Sequence, residues 1–400
     1  MVGSMPDTSQ LAAVADYPAR ARDLVPLLWA AGPRIEAARE LTGDVLEALH
    51  EGGLFRLLLP KTVGGAELDP MTYVEVLETV ARGDASTAWC LGQNGGCAMS
   101  AAWLEPRAAA EVFGGPRAVL AWGAGAVGTA VAVDGGYRVS GTWQFASGSH
   151  HASWLGGHCQ VREADGSLRP PTSTNGGEGG RTMLFPRERA AMQDVWHVIG
   201  LKGTGSDSYT VRDLFVPEAY SLDRYNPAER REPGLLYRFT TSQLYASGFA
   251  GVALGIGRAV LDAFTDLARN KRPRGAEAAL RENAVVQTEL SVAEARLRSA
   301  RSFLLQTLRE IWDGLPAAGE VTLDQRILVR LASTYAIQEA CNVVDMAYHA
   351  AGSSAIAENG PFERRFRDLH AVAQQAQGRR SHFETVGRHL LGLTPDLLFV

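Results

Sequence analysis

The stretch Ser140-Gly-Thr-Trp143-Gln-Phe145-Ala-Ser147-Gly148-Ser149 decides how the chain is read. It places a Trp, a Phe and several hydroxyls on a predicted strand that ends in small residues. On residue types alone it is either a sheet aromatic followed by a turn, or a surface that lays donors along a flat polar heterocycle. Just upstream, residues 127–133 and 137–140 flank Asp134-Gly135-Gly136, the pattern of a β-hairpin. Downstream, residues 154–161, 181–185 and 209–216 are further short strand candidates, and Pro217 closes the β region. Residues 172–180 read as a Gly-rich surface loop.

Outward from this sheet the texture turns helical on both sides. Residues 8–115 are rich in Ala, Leu and Glu. Asp69-Pro70 is a helix start, an N-cap followed by Pro at the first position, and Met71, Val74, Leu77 and Ala81 follow at spacings of three and four. Gly83 ends that helix and Asp84-Ala85-Ser86 opens another toward Trp89. From about 235 the pattern is helical to the end. One helix carries Leu254, Val260, Leu261 and Phe264. A long one is expected over 283–313 with Gly314 as its stop, another over 327–351 ended by Gly352, and a last one over 362–391. The expected class is mainly α with a central β domain: a helical domain over 8–116, a β domain over 117–225 and a helical bundle over 226–400.

Composition narrows the function. The 400 residues are 46% apolar and 21% charged, with net charge −5, so the chain has globular proportions and no basic footprint for nucleic acid. No run of about 20 uncharged apolar residues is present to span a membrane. Four cysteines, at 90, 97, 159 and 341, lack CxxC spacing, which points to a reducing, cytoplasmic compartment.

Several chemical signals fail on context. Gly123-Ala-Gly125-Ala-Val-Gly128 matches a dinucleotide fingerprint, but a strand follows it where a helix is required. His150, His151, His158 and Cys159 cluster, yet adjacent strand residues face opposite ways, so one inward and one outward His is expected and no metal site. The stretch Gly200-Leu-Lys202-Gly203-Thr204-Gly205-Ser206 is either a Gly-rich hairpin loop or an anion-friendly concavity of backbone amides. Arg364-Arg365-Phe-Arg367-Asp368-Leu-His370 is a basic cluster that binds phosphate or forms a salt-bridge network.

Taken together, these pieces resemble the acyl-CoA dehydrogenase superfamily over about residues 35–393. The resemblance is carried by Leu59-Pro60 with Gly64-Gly65, by 85–89, by 140–148, by 200–206 ahead of 214–217, by 365–370, and by Gly387-Arg388 with Leu390-Leu391-Gly392. Dehydrogenases of that superfamily carry a catalytic Glu eight residues after the Arg-Asp pair, or in the helix after the β domain. This chain has Ala376 at the first position and no Glu around 245–251 at the second. It therefore looks like the two-component flavin-dependent monooxygenase branch, which includes oxygenases of p-hydroxyphenylacetate, dibenzothiophene and indole-acetate.

That resemblance implies an oxygenase component that receives reduced FMN or FAD, FMN for preference, from a separate NAD(P)H-flavin reductase. With O2 it would form a C4a-hydroperoxyflavin that oxygenates a small aromatic, indole-like substrate. It implies a homotetramer, Trp143, Phe145 and Ser147 at the flavin ring, Ser147 near N5, Thr204 and Ser206 nearby, and Arg272 and Arg274 for the flavin phosphate. Phenol hydroxylases of the branch place His where this chain has Cys97 and Gln375. His370 and His382, with Gln375, are the replacement candidates, and Trp89, Asn94, Cys97, Trp122 and Phe249 are the expected pocket lining. The rival readings are an acyl-CoA dehydrogenase or oxidase with another base, and a non-catalytic flavin-fold protein.

Overall fold

The structure, a computed structural model, describes residues 16–170, 180–398 and 400. The expected loop over 172–180 lies outside these residues except for Gly180. Five helices come first: α1 Tyr17–Ala38, α2 Gly43–Glu51, α3 Pro70–Gly83, α4 Ala85–Ala98 and α5 Pro106–Phe113. The start of α3 is as predicted, with the Asp69 carboxylate accepting from the Thr72 amide at 2.9 Å. Asp84 does the same for α4, accepting from the Thr87 amide at 2.8 Å.

Eight strands follow: β1 Leu120–Trp122, β2 Gly128–Val133, β3 Gly136–Trp143, β4 Trp154–Arg162, β5 Arg181–Pro186, β6 Ala191–Gln193, β7 Ser208–Pro217 and β8 Ser221–Leu222. They form one mixed sheet in the order β6-β7-β3-β2-β4-β5-β8, with β1 alongside β4. The predicted hairpin is β2–β3, and Gly135 takes the positive φ of 73° that its turn needs. Pro217 does not end the sheet, because β8 adds two more residues against β5.

The chain then returns to helix: α6 Thr241–Asn270, α7 Ala284–Ala318, α8 Leu323–Ala351, α9 Glu363–Gln374 and α10 His382–Leu390. Helix α7 passes through Gly314, the expected stop, and through Pro316, ending at Ala318. Proline there removes one amide from the last turn only, where the loss is small. The predicted last helix is broken in two. Gln375 leaves the helical region at ψ 165°, and its side chain accepts from the Gln377 amide at 2.8 Å, taking the place of a helical bond.

Helix α6 is the axis of the bundle. By length and composition it resembles a membrane span, but 83% of its most apolar window is buried, against α3, α4, α7, α8 and α9. Gly248, Gly251 and Gly255 recur at helical spacing on its α3 face. A Cβ at Gly251 would stand 2.9 Å from the Val74 carbonyl, so only glycine permits this approach. That close packing fixes where Tyr245 and Phe249 of the same helix point.

The Gly200–Ser206 loop is fastened to the bundle by the Arg-Asp pair of α9. Asp368 accepts from the Leu201 amide at 2.6 Å, while Arg367 bonds the Ile199 carbonyl and Glu363. Glu36 of α1 lies 2.6 Å from Arg367 and 3.1 Å from Lys202 of the loop. In the basic cluster Arg367 and His370 form ion pairs, while Arg365 donates to the Pro361 and Arg82 carbonyls and lies, with Arg364, over the Trp29 ring. Burial, followed by the neighbouring Asp84, pushes the Asp368 carboxyl up to about 7. A carboxyl raised in the folded state favours folding at low pH, and that contribution is lost as pH rises from about 4 to about 7. Asp368→Asn keeps an acceptor for Leu201 without the charge. Its stability relative to wild type should therefore improve as pH rises across that window in denaturant titrations. A pH-independent difference would contradict this account.

Candidate active site

Four elements converge beyond the end of β3: α4, α6, the turn after β3 and the Gly200–Ser206 loop. Their hydroxyls form one row. Trp89 Nε1 donates to Ser147 Oγ at 3.0 Å, Ser147 Oγ meets Ser206 Oγ at 2.6 Å, Ser206 Oγ meets Thr204 Oγ1 at 2.7 Å, and Thr204 donates to the Leu201 carbonyl at 2.9 Å. The two ends set the direction of the whole row. Thr204 spends its only hydrogen on a carbonyl, so Ser206 must donate to Thr204, and Ser147 must donate to Ser206. Ser147 is left with one lone pair and no hydrogen to offer. Phe145 φ 60° and Leu201 φ 53° are left-handed non-glycine residues bordering the row, and such strain gathers at functional sites.

The aromatic side chains sort by exposure. Trp143 is fully buried inside the sheet domain, stacked with Tyr209 at 5.5 Å, its indole N–H donated to the His158 carbonyl at 3.0 Å. It presents no surface to a ligand, contrary to the expectation that it lies against a ring. Gly128, Gly141 and Gly157 make the room it occupies. Phe145, two residues on, is 59% exposed and meets Trp196 edge-on at 6.1 Å. The turn after the strand exposes Phe145 and hides Trp143, a distinction that residue types did not make.

Trp89, Asn94, Cys97, Trp122 and Phe249, the expected pocket lining, are all buried. Trp89 stacks on Phe249 at 3.9 Å, Phe249 on Tyr245 at 5.5 Å, and the Tyr245 hydroxyl lies 3.6 Å from Cys97 Sγ. Burial pushes the Cys97 thiol up to about 12, so it stays a thiol. Asn94 donates to the Leu120 carbonyl at 3.1 Å, which turns its oxygen toward His151 Nε2, also at 3.1 Å. Trp122 stands edge-on to His158 at 4.9 Å.

His151, Tyr245, His158 and Arg224 belong to this neighbourhood and were not predicted. One inward and one outward His was expected, and that is the arrangement, although the pair sits in a turn and not in a strand. His150 faces out, bridging Glu40 at 2.6 Å and Asp207 at 2.7 Å. His151 faces in, and burial, aided by the charges of His50 and His150, pushes it down to about 3. It is therefore neutral and carries its proton on Nε2, toward Asn94. Its sequence signal was the Gly148 turn, since φ 79° at Gly148 reverses the strand alternation. Among the described residues no group of His, Cys, Asp and Glu is arranged to hold a metal.

The remaining candidates are dispersed. His370 pairs with Asp345 at 2.9 Å on the α8–α9 face. His382 bonds the Ala376 carbonyl at 2.6 Å, and burial, with Arg330, holds it down at about 4, so it is neutral and its Nε2 proton is committed. Gln375 has its Nε2 buried with no hydrogen-bond partner among the described residues. Arg272 and Arg274 are exposed beyond the C-terminus of α6. Along that helix they stand roughly 30 Å from Phe249, beyond the reach of a flavin phosphate within the same chain.

Residues 29–104 match the N-terminal domain of acyl-CoA dehydrogenases and residues 247–379 match the C-terminal domain. The chain is 30% identical to an indole-3-acetate monooxygenase of Pseudomonas putida over 89% of each chain. The chain belongs to the acyl-CoA dehydrogenase superfamily, in its flavin-dependent monooxygenase branch. Two solved structures share the whole architecture. The 3-HSA hydroxylase of Rhodococcus sp. RHA1 superposes with TM-score 0.87 at 26% identity, over 97% of this chain and 99% of that one. XiaF of Streptomyces sp., in complex with FADH2 and glycerol, gives 0.87 at 25% over 97% of both.

A flavin fits what this site offers. An exposed aromatic surface at Phe145 and Trp196 adjoins a polar row, and the lone pair of Ser147 is open to a donor. Gly148 holds the turn in place: a Cβ there would stand 2.6 Å from Asn94 Oδ1 and 3.0 Å from His151 Nε2. Gly148→Ala is expected to lose about 1–3 kcal/mol of stability, from backbone strain plus overpacking. It should also disturb the His151 proton resonance by NMR. A variant with unchanged stability and an unchanged His151 signal would contradict this geometry.

Proposed function

We propose that this chain is the oxygenase component of a two-component system. It takes reduced flavin, FMN in preference to FAD, from a separate NAD(P)H-dependent reductase and uses O2 to oxygenate a small aromatic, indole-like substrate. The observation that carries the reading is the polarity of the hydroxyl row. Bound reduced flavin supplies the electrons and the activation of O2. Its N5 carries an N–H, which the free lone pair of Ser147 can accept, whereas oxidised flavin has only an acceptor at N5. Ser147 therefore binds and orients the reduced ring selectively. Phe145 gives that ring an apolar face. Trp89, Phe249 and Tyr245 form a dry aromatic wall beside it, and His151 and Asn94 hold each other in fixed orientation at its edge.

The dehydrogenase reading lacks its base. Ala376 lies in a 3-10 turn, and the first turns of α6 over 241–251 carry no carboxylate. The free cysteines suit a reducing, cytoplasmic setting. Val285 and Val292 on α7, with Leu390, Leu391 and Leu393 at the C-terminal end, are exposed apolar side chains suited to burial between copies in a homotetramer.

Oxygen uptake should require the chain, flavin, a reductase and NAD(P)H together, and an indole should lower the share of O2 released as hydrogen peroxide. Turnover of an acyl-CoA with an artificial electron acceptor, and none with O2, would overturn the proposal. In anaerobic titrations the wild type should bind reduced flavin more tightly than oxidised. Ser206→Ala frees the Ser147 hydrogen and should narrow that ratio. An unchanged ratio would remove the hydroxyl row from flavin recognition.

A further inference from the structure

His150, in the turn after β3, stands between two carboxylates beside the hydroxyl row. Its Nδ1 lies 2.6 Å from Oε2 of Glu40, which follows the end of α1, and its Nε2 lies 2.7 Å from Asp207 Oδ2. Among the described residues it is the one histidine with a carboxylate at both ring nitrogens. Only a doubly protonated ring has a hydrogen for each. Burial opposes that charge, but the bonds to Asp207 and Glu40 outweigh it and hold the imidazole above its ordinary range. A third carboxylate nearby, Asp194, is bound by Arg39 at 2.6 and 2.8 Å, with His197 3.4 Å away. The turn itself adds the neutral His151 and, through the Ser149 carbonyl at 2.7 Å, Arg187.

Asp207 connects this charge to the ring site. It is buried, and its other oxygen accepts the amides of Val195 and Trp196 at 2.9 and 3.0 Å. Its own carbonyl accepts from the Ala146 amide at 3.1 Å, between Phe145 and Ser147. Trp196 in turn meets Phe145 edge-on and donates its indole N–H at 3.1 Å to the Leu201 carbonyl, the same oxygen that ends the hydroxyl row. One residue thus braces both the exposed aromatic edge and the terminus of the row. Without the imidazolium, Glu40, Asp207 and Asp194 would be left to Arg39, and one ring nitrogen would turn a lone pair toward a carboxylate.

We propose that His150 is a positioning residue for the flavin: as an imidazolium it ties Glu40 to Asp207, and through Asp207 it holds Trp196 and Phe145 as the apolar edge against which the reduced ring lies. It acts through Asp207 and not on the ring. The proposal rests on the oxygenase reading for the identity of the ligand. Its consequence is an affinity for reduced flavin that is full while His150 carries both protons and falls as rising pH removes one.

Anaerobic titration with reduced FMN tests it, in wild type and in His150→Gln, from about pH 6 to about pH 9, a span that brackets imidazole titration. Titration of the flavin and of the other side chains is common to both chains and cancels in the ratio of their dissociation constants. That ratio should be about 10 at the acid end, the loss of one charge-assisted bond, and fall toward about 1 at the alkaline end. A role confined to packing would shift the ratio equally at every pH, so a constant ratio overturns the proposal. In the flavin-free chain the Trp196 indole N–H resonance should move with the same midpoint as the His150 ring protons, and an indole signal blind to that titration would also overturn it. Should His150→Gln fail to fold, Glu40→Gln decides. It keeps an acceptor but removes a charge, so both signals should titrate at lower pH than in wild type, and an unmoved midpoint contradicts the proposal. If reduced FMN binds at no pH, the oxygenase reading falls and this inference with it, whereas binding with a constant ratio overturns this inference alone.

Discussion

The hydrogen bond from the Leu201 amide to the Asp368 carboxyl is the constraint on which the rest of the site depends. It joins the last part of the bundle to a loop that leaves the sheet, across 167 residues of sequence. With that bond made, Leu201 is held left-handed and its carbonyl becomes the terminus of the hydroxyl row. The row then has a direction, and direction is what gives Ser147 its chemical character. The cost is a buried carboxyl beside Asp84, offset by Arg364 and Arg367 nearby. Loss of this fastening would release the loop and reverse or scramble the row without touching Ser147 itself.

A second layer of order comes from helix packing. Glycines on α6 bring its backbone against α3, and the side chains on the remaining faces have no freedom to retreat. Phe249 and Tyr245 therefore meet Trp89 and Cys97 of α4 in fixed stacks. The sheet contributes differently: its interior is filled by Trp143, Tyr209 and Phe185, and its edge turns supply Phe145, Ser147 and His151. One stretch of ten residues thus serves the core and the site by alternation followed by a turn.

Much of this was legible in the sequence. The hairpin, the five longer strands of the central sheet and the Asp-capped helices follow from period and punctuation, whereas the two- and three-residue strands β1, β6 and β8 are too short to show a period. Local rules failed where competing local bonds won, as at Gln375, where a side chain replaces a helical amide partner, and at Gly314, where tertiary packing carries the helix past a glycine. The stacking of Trp89, Phe249 and Tyr245 was not legible as an arrangement. Nothing in residue types separates Trp143 from Phe145, because the difference lies in a left-handed backbone.

The central claim is that the hydroxyl row beyond β3 receives a flavin ring. A crystal structure of the chain with reduced flavin bound tests this most directly. The account predicts the ring against Phe145, with Ser147 Oγ accepting from N5 and the Ser147–Ser206–Thr204 bonds intact. A ring seated elsewhere, or one that leaves Ser147 without contact, would contradict it.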